Sequence, residues 1–210
     1  MRKNLIELRM KNSVDNIDCI IPAAGLSSRM GCWKLMLPYN SSTILEQSIR
    51  NALSFCSRVI LVVGHREEEL MRQYSHWDNV TVIRNKNYKN GMFSSIQTGI
   101  HEVNTEYFFI CHGDMPCVSG LIYQSLYHHR FNGTVFPGNK LRTGHPVLIH
   151  KATFDHLYRM NEAKSMKSIF QQGQVHYLDL TDPSIYLDVD TPEAYEALVN
   201  TESVLDPLSS

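Results

Sequence analysis

The run Arg58-Val59-Ile60-Leu61-Val62-Val63, closed by Gly64, constrains this chain more than any other stretch. It is apolar without alternation and rich in β-branched side chains. Such a strand needs cover on both faces, as in the centre of a parallel sheet flanked by helices. Other segments keep the same rhythm. Ile17 to Ile21 reads as a buried strand that Pro22 ends, Val80 to Arg84 as a shorter one, and Tyr107 to Cys111 as a strand closing at the Gly113-Asp114 turn. Between them the pattern predicts helices from Thr43 to about Ser54, Arg66 to Tyr74, Met92 to Val103 and Ser119 to Arg130. Thr43 and Glu46 have the spacing of a capping box. Thr191-Pro192-Glu193 opens a last helix with a capping threonine, proline at the first helical position and an early carboxylate. The alternation implies a three-layer α/β/α fold, Rossmann-like, around a mostly parallel sheet.

One domain is expected over residues 17–200, with loose ends at 1–16 and 201–210. The stretch from about 133 to 180 breaks the rhythm. It holds strands at Thr134 to Phe136, Val147 to Ile149 and Val175 to Leu180, and a helical region from Lys151 to Phe170 that breaks near Asn161. This subregion is expected to form a flap over the site, on its acceptor side.

Composition narrows the classes. The chain has 210 residues, enough for one domain with a real core, and its 43% hydrophobic and 20% charged content is that of a globular protein. A formal charge of −1 leaves no broad basic field for nucleic acid. Cys19, Cys32, Cys56, Cys111 and Cys117 show no zinc-like pairing, and Cys19, Cys56 and Cys111 lie in apolar runs as buried thiols. Residues 1–16 lack the apolar core of a signal peptide, and no run is long enough to cross a bilayer. A reducing, cytoplasmic setting is the expectation.

The chemistry is concentrated after the strands, where open α/β sheets gather ligands. The first strand leads into Ala23-Ala24-Gly25-Leu26-Ser27-Ser28-Arg29, with Lys34 five residues on. Small residues let backbone N–H groups approach an anion, while Arg29 and Lys34 can clamp its charge. The loop lacks both the Lys-Ser/Thr ending of a P-loop and the dinucleotide spacing of glycines. Asp114, after His112-Gly113, offers a carboxylate for Mg²⁺ or a cap for its own turn. Asp188 and Asp190 alternate, so in extended chain both point one way; one completes the metal site, or Asp190 only starts the next helix. Mg²⁺ needs few protein carboxylates, because triphosphate oxygens and water supply the rest. Ser94 and Ser95, at a helix start after Asn90-Gly91, suit a ribose or phosphate, though capping explains one of them. Gly64 and His65 follow a strand at the same end. His145, in Gly144-His145-Pro146, either contacts substrate or braces its loop. Met30, Met36 and Met92 read as packing residues. These features together suggest a nucleoside triphosphate site.

Five elements in order resemble the MobA-like nucleotidyltransferases, and most closely their molybdenum cofactor cytidylyltransferase branch. They are Ala23-Ala24-Gly25 with Arg29-Met30-Gly31 and Lys34, Gly91-Met92-Phe93-Ser94-Ser95, Gly113-Asp114-Met115-Pro116, Gly144-His145-Pro146, and Asp188-Val189-Asp190-Thr191-Pro192. The resemblance spans about Ile17 to Val199. It implies a nucleotide-diphospho-sugar transferase-like fold, and transfer of CMP from CTP to the phosphate of molybdopterin or its molybdenum-bearing form, with pyrophosphate leaving. Ala24, where the guanylyl branch has glycine, implies CTP. Further implications are Mg²⁺ on Asp114 with Asp190 or Asp188, Lys34 at the α-phosphorus, and Arg29 with the loop on the β and γ phosphates. A molybdoenzyme or accessory protein as partner is left open. Pro22 and Trp33 depart from the family's pattern. The alternatives are a nucleotidyltransferase using GTP or another phosphorylated acceptor such as a sugar phosphate, and a nucleotide-binding accessory protein without catalysis.

Overall fold

The structure, a computed structural model, describes residues 16–27, 30–160 and 165–203. Strand β1 (Asp18–Ala23) is followed by a small hairpin of β2 (Pro38–Tyr39) and β3 (Ser42–Thr43), which delivers the chain to helix α1 (Ile44–Leu53). Then come β4 (Arg58–Val63), α2 (Glu67–Tyr74), β5 (Val80–Arg84), α3 (Met92–Ile100), β6 (Tyr107–Ile110) and α4 (Gly120–His128). The second half holds β7 (Thr134–Pro137), β8 (Val147–His150), α5 (Lys151–Met160), α6 (Met166–Gln172), β9 (Val175–Leu178) and α7 (Pro192–Ser203). Among the described residues no helix is long and apolar enough to cross a membrane.

The main sheet runs β5-β4-β1-β6-β8-β7-β9. All its neighbours are parallel except β6 with β8 and β8 with β7. The chain steps outward from β1 to β4 and β5, then returns to place β6 on β1's other side. That reversal opens a crevice at the carboxyl ends of β1 and β6, the usual ligand position in such sheets.

Period-two alternation sends side chains into two cores. Cys19, Ile21, Val59 and Leu61 pack with Leu45 and Ile49 of α1, Leu70 of α2 and Tyr123 of α4. Ile20, Ile60, Val62 and Phe108 pack on the opposite face with Ile96 of α3, Phe154 of α5 and Ile169 of α6. Helix α1 begins as its cap predicts, with the Thr43 hydroxyl accepting from the Glu46 N–H at 3.2 Å. The Glu46 side chain turns forward to Arg50 instead of back to the cap.

Two expectations need correction. Pro22 does not end β1: the strand continues to Ala23, with Pro22 in register with Val62. The Ile20 carbonyl accepts from Cys111, so by alternation Pro22's missing donor faces the β6 side, where the ladder has already stopped at Ile20 and Ile110. The 133–180 stretch is not a separate flap. Its strands extend the main sheet, because β8 returns antiparallel onto β6 and β7 and β9 follow it out to the edge. The expected break near Asn161 lies outside the described residues. The last helix reaches Ser203, beyond the expected domain limit at 200.

Candidate functional site

A cavity of about 420 Å³ opens at that crevice. Ala23, Ala24, Gly25, Leu26 and Ser27 line it from the end of β1, and His112, Gly113 and Asp114 from the end of β6. Lys34 and Asp190 reach it from elsewhere in the chain. Ser28 and Arg29 lie outside the described residues. A Cβ built on Gly25 would meet nothing within 4 Å, so the position is open towards a ligand.

Lys34 is carried on a short 3-10 turn, Lys34–Met36, whose Leu35 is buried. Its ammonium pairs with Asp114 Oδ2, and with Asp190 Oδ1 at 2.6 Å. The side chain keeps 14% of its surface exposed, so the amine is not sealed behind Trp33. Burial opposes its charge, but Asp114 and then Asp190 outweigh burial and hold its pKa above the usual lysine value. Asp114 is buried, and its Oδ1 has no hydrogen-bond partner. A buried carboxylate oxygen without a donor is costly unless a cation or ligand completes it.

Asp190 is set in place from two directions. The Val189 N–H donates to the Asp114 carbonyl at 3.0 Å, tying the segment to the β6 turn. The Val189 side chain sits in a small cluster with Met30, Tyr39 and Ile44, against which Tyr195 and Leu198 of α7 pack. The Thr191 hydroxyl caps α7 by accepting from the Ala194 N–H at 3.2 Å. Asp188 is exposed and does not line the cavity. Partial burial, then Asp190 and Asp114, push its pKa upward.

His112 lines the cavity, and its ring lies against that of His145, with centroids 3.9 Å apart and the planes tilted by 36°. Burial, then the Lys34 charge, lowers His112 to about 4; burial, then His112, lowers His145 to about 3. Both rings are therefore neutral near pH 7. His145 is not part of the cavity wall. Its backbone N–H donates to the Ile185 carbonyl at 2.9 Å, which makes it a brace between β8 and the segment leading to Asp190.

The serines divide. Ser95 lines the cavity, whereas Ser94 does not. The buried Asn85 amide donates to both hydroxyls, at 2.9 Å for Ser94 and 3.0 Å for Ser95. Ser94 Oγ also lies 2.8 Å from the Gly91 carbonyl, a local turn contact. Gly64 stands behind the wall. A Cβ there would fall 2.6 Å from Tyr88 Cβ and 2.9 Å from Ala24 Cβ, so its absence lets these cavity residues close up. Tyr88, Lys89 and the half-exposed Met92 form the rim on the β4–β5 side, and Met30 contributes from beneath. Sequence reasoning missed this rim, since Tyr88 and Lys89 carry no motif. The available signal was their place after β5, at the strand ends that already held the loop.

Among the described residues no three His, Cys, Asp or Glu side chains gather as a self-sufficient metal cage. Two carboxylates and an orphaned oxygen do suit a hard divalent ion that takes its other ligands from phosphate and water.

The model of the MobA-like NTP transferase domain matches residues 19–177. This chain belongs to that family. A molybdenum cofactor cytidylyltransferase of Escherichia coli is 40% identical over 179 residues, covering 85% of this chain and 93% of the relative. A nucleotidyl transferase from Methanothermobacter thermautotroptrophicus has the same fold, with a TM-score of 0.77 at 20% identity over 89% of this chain and 97% of the other. So does a Mycobacterium tuberculosis protein solved with manganese, at a TM-score of 0.68 and 21% identity, covering 89% of this chain and 99% of the other. Family membership makes the chain a nucleotidyltransferase that passes a nucleoside monophosphate to a phosphorylated acceptor.

Proposed function

We propose that this enzyme transfers CMP from CTP to the phosphate of a molybdopterin-type acceptor and releases pyrophosphate. The observation that carries the reading is the meeting of Lys34, Asp114 and Asp190 at one cavity at the ends of β1 and β6. Likeness to the Escherichia coli cytidylyltransferase supports the donor and acceptor, and Ala24 in its Ala-Ala-Gly loop is in keeping with CTP.

An acceptor phosphate oxygen attacks the α-phosphorus, the bond from that phosphorus to the β-phosphate oxygen breaks, and pyrophosphate departs. Lys34 turns to the α-phosphoryl oxygens and stabilises the charge that builds there, an effect that preorganised cations supply at about 3–4 kcal/mol per donor. The Ala24–Ser27 backbone, with Arg29, holds the β and γ phosphates. Asp114 and Asp190 would hold Mg²⁺, which would supply charge neutralisation and alignment of the phosphates. Ser95, Tyr88, Lys89 and Met92 also line the cavity and suit ribose and base. The neutral His112 lines the wall without adding charge.

The test is a nucleotide panel with a molybdopterin-type acceptor, read as pyrophosphate release. CTP should exceed GTP in kcat/KM by about 100-fold or more. GTP preference, or CTP turnover with sugar phosphates alone, would replace the assigned substrates.

A further inference from the structure

The turn joining β4 to α2 touches the nucleotide loop at both ends. At the start of that loop, the His65 N–H donates to the Ala24 carbonyl at 3.3 Å. At its end, Trp33 is held by two side chains of the same turn. The Arg66 guanidinium lies 4.3 Å from the indole centroid, and the His65 ring meets the indole edge-on at 6.2 Å. Trp33 is buried, while Lys34, one residue later, lines the cavity.

Three details mark this as more than filling. Arg66 adopts φ 52°, a left-handed conformation unfavourable for a residue with a Cβ. Its guanidinium also pairs with Glu69 on the first turn of α2, which orients it over the indole. The Trp33 indole N–H is buried without an acceptor, so core packing and the two ring contacts, not a hydrogen bond, hold this side chain. Leu35 anchors the chain on the far side of Lys34, so Trp33 fixes the near side, and small misplacements of a reacting group cost large factors in rate.

We propose that Arg66 and Trp33 are positioning residues for Lys34: the β4–α2 turn brackets the nucleotide loop and fixes where the amine stands. The proposal rests on Lys34 acting at the α-phosphoryl group. It predicts an effect on kcat without direct contact to substrate by either residue.

The experiment uses the full chain with Trp77→Phe, which leaves Trp33 as the one tryptophan of the sequence's two. Arg66→Gly removes the guanidinium and relieves the positive φ, so its melting temperature should equal or exceed the parent's. Acrylamide quenching of Trp33 should rise about twofold or more as the cation leaves the ring. With CTP, kcat should fall about 10- to 100-fold while the nucleotide KM moves less than about threefold. Trp33→Phe keeps an aromatic face for Arg66 and should retain kcat within about threefold, whereas Trp33→Ala should match Arg66→Gly. Unchanged quenching in Arg66→Gly overturns the bracket. Increased quenching with unchanged kcat overturns its link to Lys34. Quenching needs no turnover, so a parent protein inactive with every nucleotide would strike the functional reading, while the bracket is still decided by fluorescence.

Discussion

Lys34 Nζ stands 2.6 Å from Asp190 Oδ1 while also paired with Asp114, so one ammonium near the start of the chain holds together a carboxylate from its middle and another from near its end. Those carboxylates cannot share a divalent ion and keep the ammonium between them. If these two carboxylates are to hold a divalent ion, the Lys34 ammonium would have to leave them for the phosphates. Lys34→Met should therefore bind Mn²⁺ alone, without nucleotide, about fivefold more tightly than the parent, since it loses a competing ion pair worth on the order of 1 kcal/mol. Titration calorimetry or the Mn²⁺ electron paramagnetic resonance signal reads this. Equal or weaker binding would show that amine and metal do not compete.

The three aspartates should separate in a steady-state assay. Asp114→Asn and Asp190→Asn each remove a carboxylate at the cavity and should lower kcat/KM about 100-fold or more. Asp188→Asn alters an exposed group outside the cavity wall, and its effect should stay under about fivefold. A loss at Asp188 as large as that at Asp190 would move the metal assignment to Asp188.

Acid should weaken the fold through His145. Burial, with His112 adding to it, holds its folded pKa at about 3, against about 6.5 for an unfolded histidine. As pH falls below about 6.5 the unfolded chain takes up a proton that the folded chain refuses until about 3, so stability is full at neutral pH and drains across that window. Asp114 and Asp188 lie near enough to offset part of the effect. His145→Gln should flatten the pH slope of unfolding free energy between about pH 6 and 4, measured by urea titration at each pH. An unaltered slope would remove His145 from the account of acid sensitivity.

Asp18 separates folding from function. It is 3% exposed at the start of β1, accepts two Arg58 hydrogen bonds at 2.9 and 2.8 Å, and accepts the Asn104 N–H at 2.9 Å. This lies at the strand end opposite the cavity. Asp18→Ala takes the carboxylate from the Arg58 guanidinium, leaving it the Glu102 carbonyl, and should cost about 3 kcal/mol in urea unfolding, with nucleotide KM unchanged at a temperature where the variant is folded. A small stability loss with a raised KM would contradict this division.

Strand β4 was readable to the residue because a run buried on both faces has no competing pattern. The cap at Thr43 was equally plain, its partner being three residues away. Pro22 misled because proline signals the lack of a donor, and only the sheet shows that no acceptor waits on that side. The 133–180 stretch was misjudged because antiparallel return of β8 onto β6 depends on partners far along the chain. Lys34, Asp114 and Asp190 carried local signals and do meet at one cavity. Asp188, Gly64, Ser94 and His145 carried similar signals but stand behind or beside it, since alternation and turn chemistry name a residue without giving its depth. The Tyr88–Lys89 rim had only its place after β5 to point to it, and the Arg66–Trp33 contact joins residues 33 apart whose pairing no local pattern encodes.

The most direct measurement is the single-turnover rate of Lys34→Ala against the parent, with CTP, Mg²⁺ and a molybdopterin-type acceptor, alongside urea unfolding of both proteins. Loss of a cation aimed at the reacting phosphoryl group should slow chemistry by a factor of about 100 to 1,000, while a loss of up to about 3 kcal/mol in urea unfolding, from leaving Asp114 without its cation, keeps the variant folded in the assay. A folded variant that turns over at the parent's rate would contradict the account.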